Sequence, residues 1–163
     1  MSVLSACVFD TADGADDAVR RITADPDRAQ DLVDDAATLR WEAGAARPTG
    51  ERRPELASES NALGDGFWAL VIGLTLRVPL LGAAVGGVAG ARSGSLTEPG
   101  IDELFMNRLR DAVTPGRSAL LAIGARSAWD LVTADLTGPE RPDSFVTEIS
   151  DRQLARLREV FGA

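Results

Sequence analysis

The chain has 163 residues, enough for one ordinary domain with its own core and barely enough for two. Its 25 acidic residues outnumber 17 basic ones, and the net charge of -8 repels a phosphate backbone, so nucleic acid is not an expected partner. Histidine is absent, which removes the usual proton shuttle and the commonest neutral metal ligand; lysine is absent too, so every positive side chain is an arginine.

The lone Cys7 lies in the apolar run VLSACVF and reads as a buried structural thiol, with no partner for an internal disulfide. The first residues carry no basic n-region and turn acidic at Asp10, so the expectation is a cytoplasmic protein rather than a secreted one.

In chain order, Val3 to Phe9 is an apolar, β-prone strand that stops at Asp10, Thr11 and Asp13, residues suited to a helix entry. A helix follows from Gly14 to Ala24. Ala15, Ala18, Val19 and Ile22 recur at spacings of three and four, Asp16 and Asp17 sit where the helix dipole favours anions, and Pro26 ends the pattern. Arg28 to Val33 reads as one further helical turn or as loop. Asp34 to Trp41 reads as a strand, with Ala37, Leu39 and Trp41 alternating against Thr38 and Arg40. Glu42 to Ser60 is poor in apolar residues and carries Gly44, Pro48, Gly50 and Pro54, so it is either a loose β-excursion or a solvated connector.

Phe67 to Leu96 is then strongly apolar, and glycine recurs every fourth residue at Gly82, Gly86, Gly90 and Gly94, a spacing that bares one face of a helix for close backbone approach. One straight membrane span is disfavoured. Arg77 sits mid-stretch, where a charge costs about 2.5 to 3.5 kcal/mol, and Pro79 breaks the helix two residues later. A single crossing would also strand two halves of one sheet on opposite sides of a bilayer. A hairpin is expected instead, with arms Ala62 to Thr75 and Leu80 to Ser95 about a turn at Leu76 to Pro79. Each arm spans about 20 to 25 Å at 1.5 Å per residue, a little short of a hydrocarbon core of about 30 Å. Gly66, Ala69 and Gly73 are small enough to receive the glycine face; that face packs inside the hairpin, between molecules, or both. Phe67, Trp68, Val71, Ile72, Leu74, Leu80, Leu81 and Val85 then call for cover from lipid or another subunit.

Beyond it, Thr97 to Gly100 punctuates the chain, and Ile101, Leu104, Phe105, Leu109 and Val113 make a helical stripe. Pro115-Gly116 forms a turn, Ser118 to Gly124 is a buried strand, and Ser127 to Leu136 is a helix broken by Gly138 to Pro142. Phe145 to Ile149 is the last strand; Ser150-Asp151 caps a terminal helix bearing Leu154, Leu157, Val160 and Phe161. The order implies an α+β, ferredoxin-like βαβ plus βαβ sandwich, its helices on one face of an antiparallel sheet. Residues 1–60 and 97–163 form that domain, and 61–96 the inserted glycine-zipper helical hairpin.

Gly64, Gly66, Phe67-Trp68, Pro79-Leu80-Leu81-Gly82, the run Gly86, Gly90 and Gly94, the segment Gly100-Ile101-Asp102-Glu103-Leu104-Phe105 and Pro115-Gly116-Arg117-Ser118-Ala119-Leu120 together resemble the bacterial domain of unknown function 1269 family. The resemblance is best from Gly64 to Leu121. It implies a glycine-zipper hairpin of the kind often predicted to be membrane-associated, and it brings no catalytic residues. Arg77 and the missing lysines depart from the family pattern.

Chemistry-bearing constellations fail on spacing. Asp10, Asp13, Asp16 and Asp17 do not meet the calcium-loop pattern and read as caps and a solvated helix face, as do Asp31, Asp34 and Asp35. Gly82 to Gly87 lacks the Lys-Ser/Thr of a phosphate loop, and Ser118 has no histidine and no nucleophile elbow. Trp41, Trp68 and Trp129 are too scattered for a base-stacking platform. The expectation is a non-enzymatic structural or assembly protein with no catalytic, cofactor-binding or metal-binding residues. It self-associates as a homo-oligomer, attaches to lipid at the inner face of the cell membrane, or both, through Gly73, Gly82, Gly86, Gly90, Gly94, Phe67 and Trp68. The competing reading is a small-ligand-binding or stress-sensing module, which requires a polar-lined pocket between sheet and hairpin.

Overall fold

A computed structural model describes residues 2–24, 33–58, 60–76, 103–135 and 143–161. The second hairpin arm with Gly82, Gly86, Gly90 and Gly94, the segment 28–32 and the break at 138–142 lie outside the described residues. The fold is α+β: a five-stranded antiparallel sheet in the order β3-β2-β4-β1-β5, with five α-helices among the described residues. The strands are β1 (Ser2–Phe9), β2 (Asp35–Arg40), β3 (Thr49–Arg52), β4 (Ser118–Ala125) and β5 (Asp143–Ile149). The helices are α1 (Gly14–Thr23), α2 (Asp65–Leu76), α3 (Glu103–Ala112), α4 (Arg126–Asp135) and α5 (Asp151–Phe161), and a short 3-10 turn covers Pro54–Leu56.

The central strands β1 and β4 are apolar at nearly every position because both of their faces are covered. Leu4, Ala6 and Val8 of β1 join Ala37, Leu39, Ala119, Leu121 and Ile123 in a core with α2, α3 and α5. Their alternates Cys7, Ala36, Leu120 and Ala122 form a second core with Ala18, Val19 and Ile22 of α1 and Trp129 and Val132 of α4. Helices therefore lie on both faces, not one. The correction follows from β-periodicity: a strand that is apolar throughout must bury both sides, and α2 with its neighbours supplies the second layer.

Glu42 to Ser60 turns out to be the β-excursion, since β3 pairs with β2 from Ala37↔Arg52 to Arg40↔Thr49. Phe105 and Leu109 of α3 and Val113 just after it are buried as the stripe requires, but Leu104 is 74% exposed and Met106 is buried in its stead. The expected cap of α1 is also displaced. Asp13 occupies the N-cap without a side-chain cap bond; buried Ser118 of β4 accepts the Ala15 N–H at 2.9 Å and donates to Thr11 O at 2.7 Å. The terminal helix has its expected start, a capping box in which Ser150 and Gln153 exchange hydrogen bonds of 3.2 and 2.8 Å.

Gly124, buried in β4, is where the chain entering β2 crosses closest. A Cβ built there would lie 3.1 Å from Asp34 N and 3.3 Å from Val33 Cα, and Asp34 N donates to Ile123 O at 2.8 Å. Both obstacles are backbone. Gly124→Val should therefore lower the unfolding free energy by about 1–3 kcal/mol, read as a shift in urea midpoint at constant slope.

Candidate functional site

The apolar segment leaves the sheet at the start of α2, and the geometry there is organised by one carboxylate. Asp35 opens β2 on the side facing α2 and is 0% exposed. Its Oδ2 accepts the backbone N–H groups of Leu63 at 2.8 Å and Gly64 at 2.9 Å, and its Oδ1 accepts Ala36 N–H at 2.9 Å. Arg52 of β3 donates Nε to both oxygens, at 3.1 and 3.3 Å. Gly64 has φ of +89°, a conformation that only glycine adopts freely, and this aims two successive amides at the same oxygen. Asp35 is thus neither a cap nor a solvated residue.

The adjacent Asp34 holds the other helix at this end, since Arg158 of α5 donates Nη2 to its Oδ2 at 3.2 Å. Burial pushes the Asp34 carboxyl above the usual carboxylate range, Arg158 opposes that by charge and hydrogen bond, and Asp35 adds to the rise. Phe161 of α5 meets Phe67 edge to face at 5.7 Å, and Phe67 meets Trp68 at 4.9 Å.

The residues expected to mediate packing are distributed as follows. Phe67 and Trp68 are 0% and 1% exposed, buried with Leu70 and Val71 against this chain's own sheet, and Gly73 is buried in the same helix. The cover sought from lipid or a second subunit is supplied to Phe67, Trp68 and Val71 internally. Ile72 is partly buried and packs over Gly50 of β3, where a Cβ would come within 2.5 Å of its Cδ1. The indole N–H of Trp68 is buried without an acceptor. Among the described residues no helix is long and apolar enough to cross a membrane.

On the opposite face, Arg40 ion-pairs with Asp13, Asp16 and Glu42, and Arg53 with Asp16, Glu51 and Glu55, stapling β2 and β3 to α1. Arg53 Nε also donates to Thr38 Oγ1 at 2.9 Å. An open pocket of about 270 Å³ lies there, lined by Asp16, Thr38, Arg40, Thr49 and Arg53 among others, but both guanidinium groups are already engaged by carboxylates. Cys7 has its thiol pushed up to about 12, by burial first and then by the Asp143 charge, so it is protonated and inert at neutral pH. Among the described residues no cluster of histidine, cysteine or acidic side chains could hold a metal ion.

A family model, described as a protein of unknown function (DUF1269), matches residues 62–162. The chain belongs to the DUF1269 family. No curated protein and no solved structure matches. The DUF1269 match begins at Ala62, one residue before the Leu63 amide that Asp35 receives. Asp35, Arg52 and the arginine staple lie before it, so the matched region is clamped by residues outside it.

These contacts were not recognised from sequence, although one signal was present. Arg52 and Arg53 are neighbours on an extended segment, so their side chains take opposite faces and each needs its own carboxylate. Asp35→Ala should cost about 3–5 kcal/mol, because it leaves Arg52 and two α2-root amides unpaired, whereas Asp17→Ala, which removes an exposed pair with Arg20, should cost under about 1 kcal/mol in the same denaturation assay. For Asp34, the native carboxyl binds its proton more tightly than the unfolded one at 3.8, so its contribution is fullest below 3.8 and is lost as pH rises through the raised native value. Asp34→Asn should remove that decline from a plot of Tm against pH.

Proposed function

We propose that this DUF1269 protein is a non-enzymatic assembly protein that presents its glycine-rich apolar segment from a rigid α+β base, for self-association, membrane attachment or both. The observation that carries the reading is the burial of α2. Helix α2 is apolar on all sides, and the chain consumes its face itself, with Phe67, Trp68, Leu70 and Val71 between 0% and 2% exposed. The sequence after Leu76 remains apolar and carries Gly82, Gly86, Gly90 and Gly94. In this reading Phe67, Trp68 and Gly73 anchor the segment, and the four glycines form its association surface.

The base is read as a ferredoxin-like core with β3 as an added edge. The order β2-β4-β1-β5, with α1 between β1 and β2 and α4 between β4 and β5, supports this. The ligand-binding alternative is not favoured, since the polar pocket at Arg40 and Arg53 lies on the α1 face and both of its guanidinium groups are already paired with carboxylates.

Gly86→Leu combined with Gly90→Leu should abolish self-association in light scattering and reduce recovery in the membrane fraction, with Tm unchanged within about 2 °C. A wild-type chain that is monomeric in plain buffer and absent from membranes would remove the reading.

A further inference from the structure

The sheet ends in two strands of unlike character. β3 has four residues, and the acids Glu42, Glu51 and Glu55 cluster beside it around Arg40 of β2 and Arg53 just past its end. It is short and charged, the usual guards against edge pairing. β5 has seven residues, DSFVTEI, in unbroken one-to-one register with β1 from Asp143↔Val8 to Ile149↔Ser2. It contains no proline, lysine, arginine or bulge. Among the described residues nothing pairs with its outer edge, and Asp143, Ser144 and Glu148 are exposed.

We propose that the edge of β5 is the docking surface for a second copy of this chain, paired antiparallel about a twofold axis at Val146. The register follows from parity and charge. In a twofold antiparallel pair the residues that exchange hydrogen bonds share parity, so allowed registers differ by whole two-residue steps. The one centred on Val146 opposes all seven residues. It sets Glu148 against the neutral Ser144 and Asp143 against Ile149, so no like charges meet. Centring on Thr147 would bring Asp143 against Asp151 of the other copy. The chosen register also places Phe145 beside Thr147, so the face packed by α3 continues across the junction. This surface is distinct in sequence from the glycine segment and extends the sheet.

The test uses the full chain, as wild type and in the Gly86→Leu, Gly90→Leu background, by sedimentation equilibrium. Ser144→Lys places two opposite charges against Glu148 per dimer and should tighten self-association roughly fivefold; Ser144→Glu places two like charges there and should weaken it roughly fivefold. Both substitutions replace the Ser144 hydroxyl that accepts a 3.3 Å hydrogen bond from Trp129 Nε1, so the Tm of each variant is measured alongside, and the opposed changes in self-association should appear without a matching change in Tm. In wild type, amide exchange at alternate β5 positions should slow as concentration rises. Equal behaviour of the two variants, or β5 exchange independent of concentration, overturns the proposal. A glycine background that still dimerises with this charge response supports it even if the glycine segment plays no part.

Discussion

A carboxylate withdrawn wholly from water costs several kcal/mol unless hydrogen bonds and a counter-charge replace its hydration. Asp35 meets that condition by drawing three parts of the chain together. Arg52 brings β3, the amides of Leu63 and Gly64 bring the root of α2, and the Ala36 amide fixes the strand that carries the charge. None of these groups can be withdrawn without orphaning the others. Asp34 next to it extends the junction to α5 through Arg158, so two successive acids position both helices that close over this end of the sheet. The apolar residues of α2 could slide along a greasy surface; the buried charge sets their register.

That register decides which residues of the apolar stretch the base buries. Burying an aromatic or branched side chain contributes about 1.5–3 kcal/mol, so Phe67, Trp68, Leu70 and Val71 together contribute roughly 6–12 kcal/mol. A whole domain retains only about 5–15 kcal/mol. Withdrawing α2 into a bilayer or a neighbouring subunit would therefore consume most of the stability of the base. The unpartnered indole N–H of Trp68 offsets about 1–3 kcal/mol of this gain and does not reverse it. Phe67 and Trp68 are thereby committed to the core of the base.

Much of the scaffold was legible because periodicity reports burial directly. The spacing of Ala15, Ala18, Val19 and Ile22 matches the buried stripe of α1, and SALLAIG matches a central strand. The two-faced sheet is legible in principle, since VLSACVF is apolar at both parities, yet the sequence of α2 by itself does not say that its cover is this chain's own sheet. Local pattern cannot say which of two apolar surfaces will meet. The ion pairs were less legible still. Asp35 and Arg52 are brought together only by the β2–β3 turn, and Asp16 finds Arg53 from 37 positions away. A charge that looks solvated in sequence is buried or exposed according to what topology lays over it.

The all-arginine composition has a place in this account. Arg40 and Arg53 each reach three carboxylates, which a planar guanidinium with five donors can serve at once and a single ammonium point charge serves poorly. With that staple the β2–β3 end is tied to α1 through charge as well as through the apolar contact of Ala36, and five acids surround two arginines there. The surplus leaves this edge negative and hostile to a second copy of an acidic chain. At the other end Arg108 covers Phe145 at 4.4 Å and pairs with Asp143 at 3.2 Å, so one of the two acids of β5 already has its counter-charge. The same excess of negative charge that would keep copies apart is thus concentrated at one edge and relieved at the other, which gives the sheet a direction in which it can grow.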